Sequence, residues 1–257
     1  MQNLFPISLF DVILFLCIFL RISVFLRFLP FFPKQSLSLY AKISLAFFLS
    51  LMIAMPLQKK IKMQPSLDFF LFSLALQEVA IGIVMGFLVM MLEQILYCFG
   101  SLLSNLMGLD SSEIFSPGNA APSSLIAVIF FYIGIALVLL WDGHHFLLAA
   151  LALSIEIVPP GSFFLSTNLF AFIFEGWVQF YRFLVLLAAP FLLLFSAIVM
   201  ELGILGKMVP QMNIFLMEYP LRLGCALILL AWFLPNYSHG MNVLFLYLVD
   251  LLYALFA

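Results

Sequence analysis

The stretch ALQEVAIGIVMGFLVMMLEQILYCFGSLLS, residues 75–104, contains no proline, and its only charges are two carboxylates, Glu78 and Glu93. Read as one continuous helix, it places Ala75, Glu78, Gly82, Gly86, Glu93, Gly100 and Ser104 within an arc of about 80°. Gly82 and Gly86 form a GxxxG, which lets a second backbone approach closely, and carboxylates on the same face can accept hydrogen bonds from a neighbouring helix. Two readings of this stripe fit: close packing inside the chain, or packing against a partner subunit.

Working outward, the whole chain has the same character. Of its 257 residues 66% are apolar, 32 are Phe and only 9% are charged, against roughly a quarter charged in soluble domains. This is an integral membrane composition. MQNLFPISLF begins uncharged and the apolar character continues, unlike a cleaved signal peptide, so the N-terminus is expected to be retained. Cys17, Cys98 and Cys225 stand far apart inside apolar runs and read as small core hydrophobes rather than a disulfide framework or metal site.

Charge is unevenly distributed. Residues 1–62 hold seven of the ten Lys/Arg and one acid, Asp11, a net +6 against −8 for the remainder. Lys59, Lys60 and Lys62 form the dense cluster, predicting a cytoplasmic loop. No aromatic or glycine-rich basic pattern accompanies them, which argues against nucleic-acid binding.

A spanning helix needs about 20 apolar residues. Long runs occur at 124–141 and 183–200, whereas the runs at 12–20, 43–57, 79–92, 146–155 and 223–234 are cut short by charges or by prolines and PNYSHG. For Arg21, Arg27 and Asp250 two readings stay open, snorkelling from helix ends or burial against another helix. Glu78, Glu93, Glu175, Arg182 and Glu201 are expected to be buried against another helix or a wet cavity, because a lone ionised group at depth is expensive. Glu175 and Arg182 share a face but lie about 10 Å apart in rise, so each needs a different partner. Most prolines read as helix ends, and Pro190 predicts a kink. The chain is expected to be all-α, of interrupted apolar helices and helical hairpins, built to pack in an assembly.

Chemistry-bearing motifs are absent from the sequence: there is no GxSxG, P-loop or GxGxxG. His144 and His145 in WDGHHF are adjacent and expected to point to different sides of a helix, whereas a zinc pair calls for i, i+4. Asp142 and Gly143 read as turn and cap residues. Neither enzymatic activity nor a cofactor is expected. A small-solute secondary transporter, using Glu78, Glu93 and Arg182 as coupling charges, is the rival from another class.

The order of several segments resembles the FliR/SctT export-gate proteins of type III secretion. These segments are QEVAIGIVMG (77–86), MGLDSSEIFSPGNAA (107–121), DGHHFLLAALALSIEIVPPG (142–161) and GILGKMVPQMNIFLMEYPLR (203–222). PQMNIF carries the most specific match, with Pro210, Gln211, Asn213 and Phe215, followed by Pro220 and Arg222. Gly143, His144, Ser154, Pro159 and Gly161 match a second stretch, and Glu78 with Gly82 and Gly86 a third. Ser116 stands where the family often has Asp, and Glu218 where flagellar members often have Gly; the DGHH and PPG stretches look flagellar.

The resemblance implies one FliR-like helical domain over 1–257, with a FliP-like part over about 1–180 and a FliQ-like part over 181–257. It would pack in a hetero-oligomeric FliP/FliQ/FliR-type ring at the bacterial inner membrane, in the flagellar basal body or a virulence injectisome. FliP-like, FliQ-like and FlhB-like proteins would be its partners, beside membrane lipid and unfolded export substrates. Its contacts are expected through Glu78, Gly82, Gly86, Glu93, Gly100 and Arg182. The resemblance also implies a pore plug at 106–122, with Leu109, Ile114, Phe115 and Pro117; the residues themselves equally allow a solvated loop.

Overall fold

The computed structural model describes residues 9–29, 38–57, 69–109, 124–162, 167–209 and 214–256. Among them are seven α-helices and no strand: α1 (Leu9–Arg27), α2 (Leu39–Leu57), α3 (Phe69–Met107), α4 (Leu125–Leu140), α5 (Gly143–Ile157), α6 (Thr167–Met208) and α7 (Ile214–Ala254). Four are long and apolar enough to cross a membrane, or five if α4 and α5 are counted together as one broken span.

The helices are longer than the apolar runs suggest. α3 passes through Glu78 and Glu93, α6 through Glu175, Arg182, Pro190 and Glu201, and α7 through Pro220, Pro235 and PNYSHG. A charged side chain imposes its cost sideways, where a partner is needed, and leaves the backbone ladder intact. Proline removes one ladder bond, a loss that apolar-span helices tolerate when neighbouring groups compensate. Tyr237 holds the PNYSHG segment helical through tertiary contact: its ring is buried and its hydroxyl donates to the Phe130 carbonyl at 3.2 Å.

True helix ends have local causes. Gly108, at φ 76°, turns the chain out of α3, its N–H donating to the Asn105 carbonyl at 3.1 Å, the left-handed stop that glycine allows. Ser124 starts α4, its hydroxyl accepting from the Ala127 N–H. Asp142, also left-handed at φ 55°, separates α4 from α5 without a side-chain cap bond; Asp tolerates this conformation better than most residues. Pro159 and Pro160 follow α5 and stop its continuation.

The chain forms two compact units, residues 1–91, 142–176 and 247–257 in the first, 92–141 and 177–246 in the second. In the first, α1 buries Leu14, Ile18, Ile22 and Phe25 at helical spacing. Gly82 and Gly86 seat α1 against α3: a Cβ on Gly82 would lie 2.9 Å from the Arg21 carbonyl oxygen, and one on Gly86 would collide with the Phe28 ring.

The second unit is organised around Phe99. Its ring packs against Phe130 (5.2 Å between centroids), Tyr237 (5.6 Å), Phe233 (5.9 Å) and Phe191 (6.1 Å), a cluster whose edge-on and offset pairs add to plain burial. One residue on, Gly100 brings α3 and α4 together. A Cβ there would sit 2.5 Å from the Ala127 Cα and 2.9 Å from the Ile126 carbonyl oxygen.

Because those neighbours are backbone atoms that cannot swing aside, Gly100→Ala should destabilise the protein by about 1–3 kcal/mol. Gly203→Ala, where an added Cβ meets nothing within 4 Å, should be neutral or stabilising by up to about 1 kcal/mol through helix propensity. Thermal unfolding of the two variants in detergent checks the contrast; equal midpoints would refute it.

Candidate functional site

The charge that the first unit buries is Arg21. The sequence leaves open whether it snorkels from a helix end or is buried; its side chain is fully enclosed. Its Nε donates to Glu78 Oε2 at 2.6 Å, with both side chains inaccessible to solvent. Nη1 donates to the Ser154 carbonyl at 2.8 Å and its Oγ at 3.3 Å, and Nη2 to the Val158 carbonyl at 3.0 Å. The Ser154 hydroxyl spends its own proton on the Leu151 carbonyl at 2.7 Å, which leaves its oxygen free to accept.

This arrangement explains the burial. A planar guanidinium fork suits several acceptors at once, and the last carbonyls of α5 carry partial negative charge that favours a cation. Arg21 therefore joins three elements: α1 supplies it, α3 supplies the carboxylate, and the end of α5 supplies the carbonyls. Among the described residues Glu78 Oε1 is buried without a hydrogen-bond partner, so the carboxylate depends on Arg21 for compensation. No local spacing could reveal the pair, whose members are 57 positions apart. The only sequence signal is that Glu78 and Ser154 both fall in segments resembling the same family.

The other candidates disperse. Glu93 is half-buried; Glu175, Arg182 and Glu201 are exposed on this chain. Gly100 lies against α4 rather than with the Glu78 site. Leu109 is half-buried at the end of a described segment, while Ile114, Phe115 and Pro117, like Pro210, Gln211 and Asn213, lie outside the described residues. Phe215 falls in the first turn of α7 and Pro220 is exposed one turn beyond it. Arg222 forms an i, i+4 ion pair with Glu218, both about a quarter exposed.

Gly143 is buried at the start of α5 and His144 half-buried beside it. Contrary to the sequence expectation, the two histidine rings do not diverge; their centroids lie 4.2 Å apart. In a first turn there is no preceding turn for the side chains to strike, so rotamers that fold them together are open. Asp142, His144 and His145 each bring a ligand atom within 4.8 Å of the others, a set able to meet a divalent cation. Asp142 and His145 are about 70% exposed and their ion-pair contact is loose, at 3.7 Å. Water competes for any ion there.

Residues 12–248 match the family model for bacterial export proteins, family 1. The chain belongs to that family. It is 26% identical to the flagellar biosynthetic protein FliR of Escherichia coli K12 over 216 residues, 84% of this chain and 82% of the relative. Identity is likewise 26% to FliR of Bacillus subtilis 168, over 84% of both chains, and 28% to that of Aquifex aeolicus, over 84% and 83%. The Arg21–Glu78 pair and all seven helices of this export-family chain fall within the matched region or overlap it.

Replacing Arg21 by Ala strands a buried carboxylate and should cost about 3–5 kcal/mol, whereas Arg21→Met combined with Glu78→Leu should recover most of that loss. The readout is membrane accumulation and thermal midpoint of each variant. A single variant as stable as the wild type would show that the pair does not hold α1, α3 and α5.

Proposed function

We propose that this chain is the FliR-type, non-enzymatic subunit of the flagellar type III protein export gate, through which unfolded flagellar proteins cross the bacterial inner membrane. The observation that carries the reading, beside family membership, is the surface of α6. This 42-residue helix contains a 40-residue apolar span, of whose most apolar stretch only 28% is buried in the chain, and it exposes Glu175, Arg182 and Glu201 among Leu186, Leu193 and Met200. Hydrocarbon rejects such charges, while neighbouring helices can neutralise them and cover the apolar residues between.

The covering helices are assigned to FliP-like and FliQ-like subunits, with an FlhB-like protein in the same apparatus. Residues 1–180 are assigned as the FliP-like part and 181–257 as the FliQ-like part. The relatives support the flagellar branch over the injectisome. A small-solute transporter would need Glu78 as an open coupling charge, and Arg21 already occupies it.

The connection between Gly108, where α3 turns, and Ser124, where α4 starts, is assigned as the plug. Pro117, Gly118 and Pro122 oppose helix formation there, and Ile114 with Phe115 would supply a deformable apolar tip. Such a closure can hold back ions and yield to a polypeptide.

Leu193, 71% exposed, separates lipid from protein contact. Leu193→Trp is tolerated by hydrocarbon but overpacks an interface, so recovery of FliP-like and FliQ-like proteins with the tagged chain should fall about tenfold. Undiminished recovery would remove α6 from the interface. Deleting residues 110–120 should make the assembled, closed gate conduct ions; unchanged conductance with intact assembly would refute the plug.

A further inference from the structure

In the first unit a cavity of about 380 Å³ lies between the end of α1 and the start of α2, lined among others by Ser23, Val24, Arg27, Leu39, Lys42 and Ile43. Its size and make-up, mostly apolar with a few convergent polar groups, fit a small-molecule site. Among the described residues of its lining, the charged ones, Arg27 and Lys42, are both cations, so this part of the lining is complementary to an anion. Lys42 lies in the first turn of α2, where Ser38 caps the helix by accepting from the Ala41 N–H at 3.3 Å. The amino end of a helix adds partial positive charge.

The rest of α2 indicates what kind of anion. Just 17% of Leu39–Pro56 is buried, and beyond the cavity α2 exposes Phe48, Met52 and Met55. Lys42 is the only charged residue of α2. This differs from α6, whose exposed surface carries Glu175, Arg182 and Glu201 along its length and so calls for a protein neighbour. An uncharged apolar helix face ending at a cationic cavity matches an amphiphile with an anionic head and a hydrocarbon tail.

We propose that this cavity binds the phosphate headgroup of an anionic phospholipid, with Arg27 and Lys42 as its cationic partners and the exposed face of α2 against an acyl chain. A free phosphate would gain the two cations but nothing from Val24, Leu39 and Ile43. The assignment is independent of the export reading.

The test is native mass spectrometry of the full chain, purified in nonionic detergent and offered phosphatidylglycerol or phosphatidylcholine. Phosphatidylglycerol should be retained over phosphatidylcholine by at least about fivefold, and Arg27→Gln and Lys42→Gln should each lower its retention about fivefold. Lys207→Gln, a charge-matched change at the exposed end of α6, should leave retention unchanged, and excess inorganic phosphate should not displace the lipid. Equal retention of the two lipids by the wild type would overturn the proposal, whether or not the variants fold. So would equal losses in all three variants, or complete displacement by inorganic phosphate, which would make the site one for free anions.

Discussion

A fully enclosed arginine is the constraint on which the first unit depends. Removing a guanidinium from water costs several kcal/mol even after relaxation, and the chain recovers this only because Glu78 and the terminal carbonyls of α5 converge on the same point. The requirement is geometric as much as electrostatic. α1 must approach α3 closely enough for Nε to reach the carboxylate, and Gly82, against the Arg21 backbone itself, permits that approach. The glycine and the glutamate four residues before it act together.

The second unit solves a similar problem without charge. Phe99 gathers rings from α4, α6 and α7, and Gly100 beside it brings α3 against the α4 backbone. Among apolar helices, burial of hydrocarbon cannot choose neighbours, because lipid tails are equally apolar. Close backbone contact, ring geometry and the Tyr237 hydroxyl on the Phe130 carbonyl do the choosing instead. These contacts pack the interior of each unit, while large apolar side chains of α2 and α6 stay exposed on this chain.

Charge then distinguishes the outward faces. α6 presents Glu175, Arg182 and Glu201 among apolar residues, whereas α2 presents no charged residue beyond Lys42. On the proposals made above, protein would cover the first surface and lipid the second, for the same reason that Arg21 needs Glu78: a charged group in a medium without water must be given its counterpart.

Much was legible from residues alone. Composition dictated an all-α membrane protein, because only helices and closed barrels satisfy every backbone group in hydrocarbon. The spacing of Glu78, Gly82, Gly86 and Gly100 marked the packed face of α3, since helical geometry converts sequence distance directly into direction. The order of segments reached the export family. What sequence could not decide was anything joining positions far apart in the chain. Arg21 read equally as a snorkelling end or a buried charge until its partners arrived from α3 and α5; PNYSHG read as a helix stop until Phe130 offered Tyr237 an acceptor; His144 and His145 read as diverging until the first turn of α5 let their rings fold together. Local pattern specifies which face of a helix is sticky. Only the tertiary structure, by bringing acceptors from 57 and 133 positions away, decided which charge that face would hold.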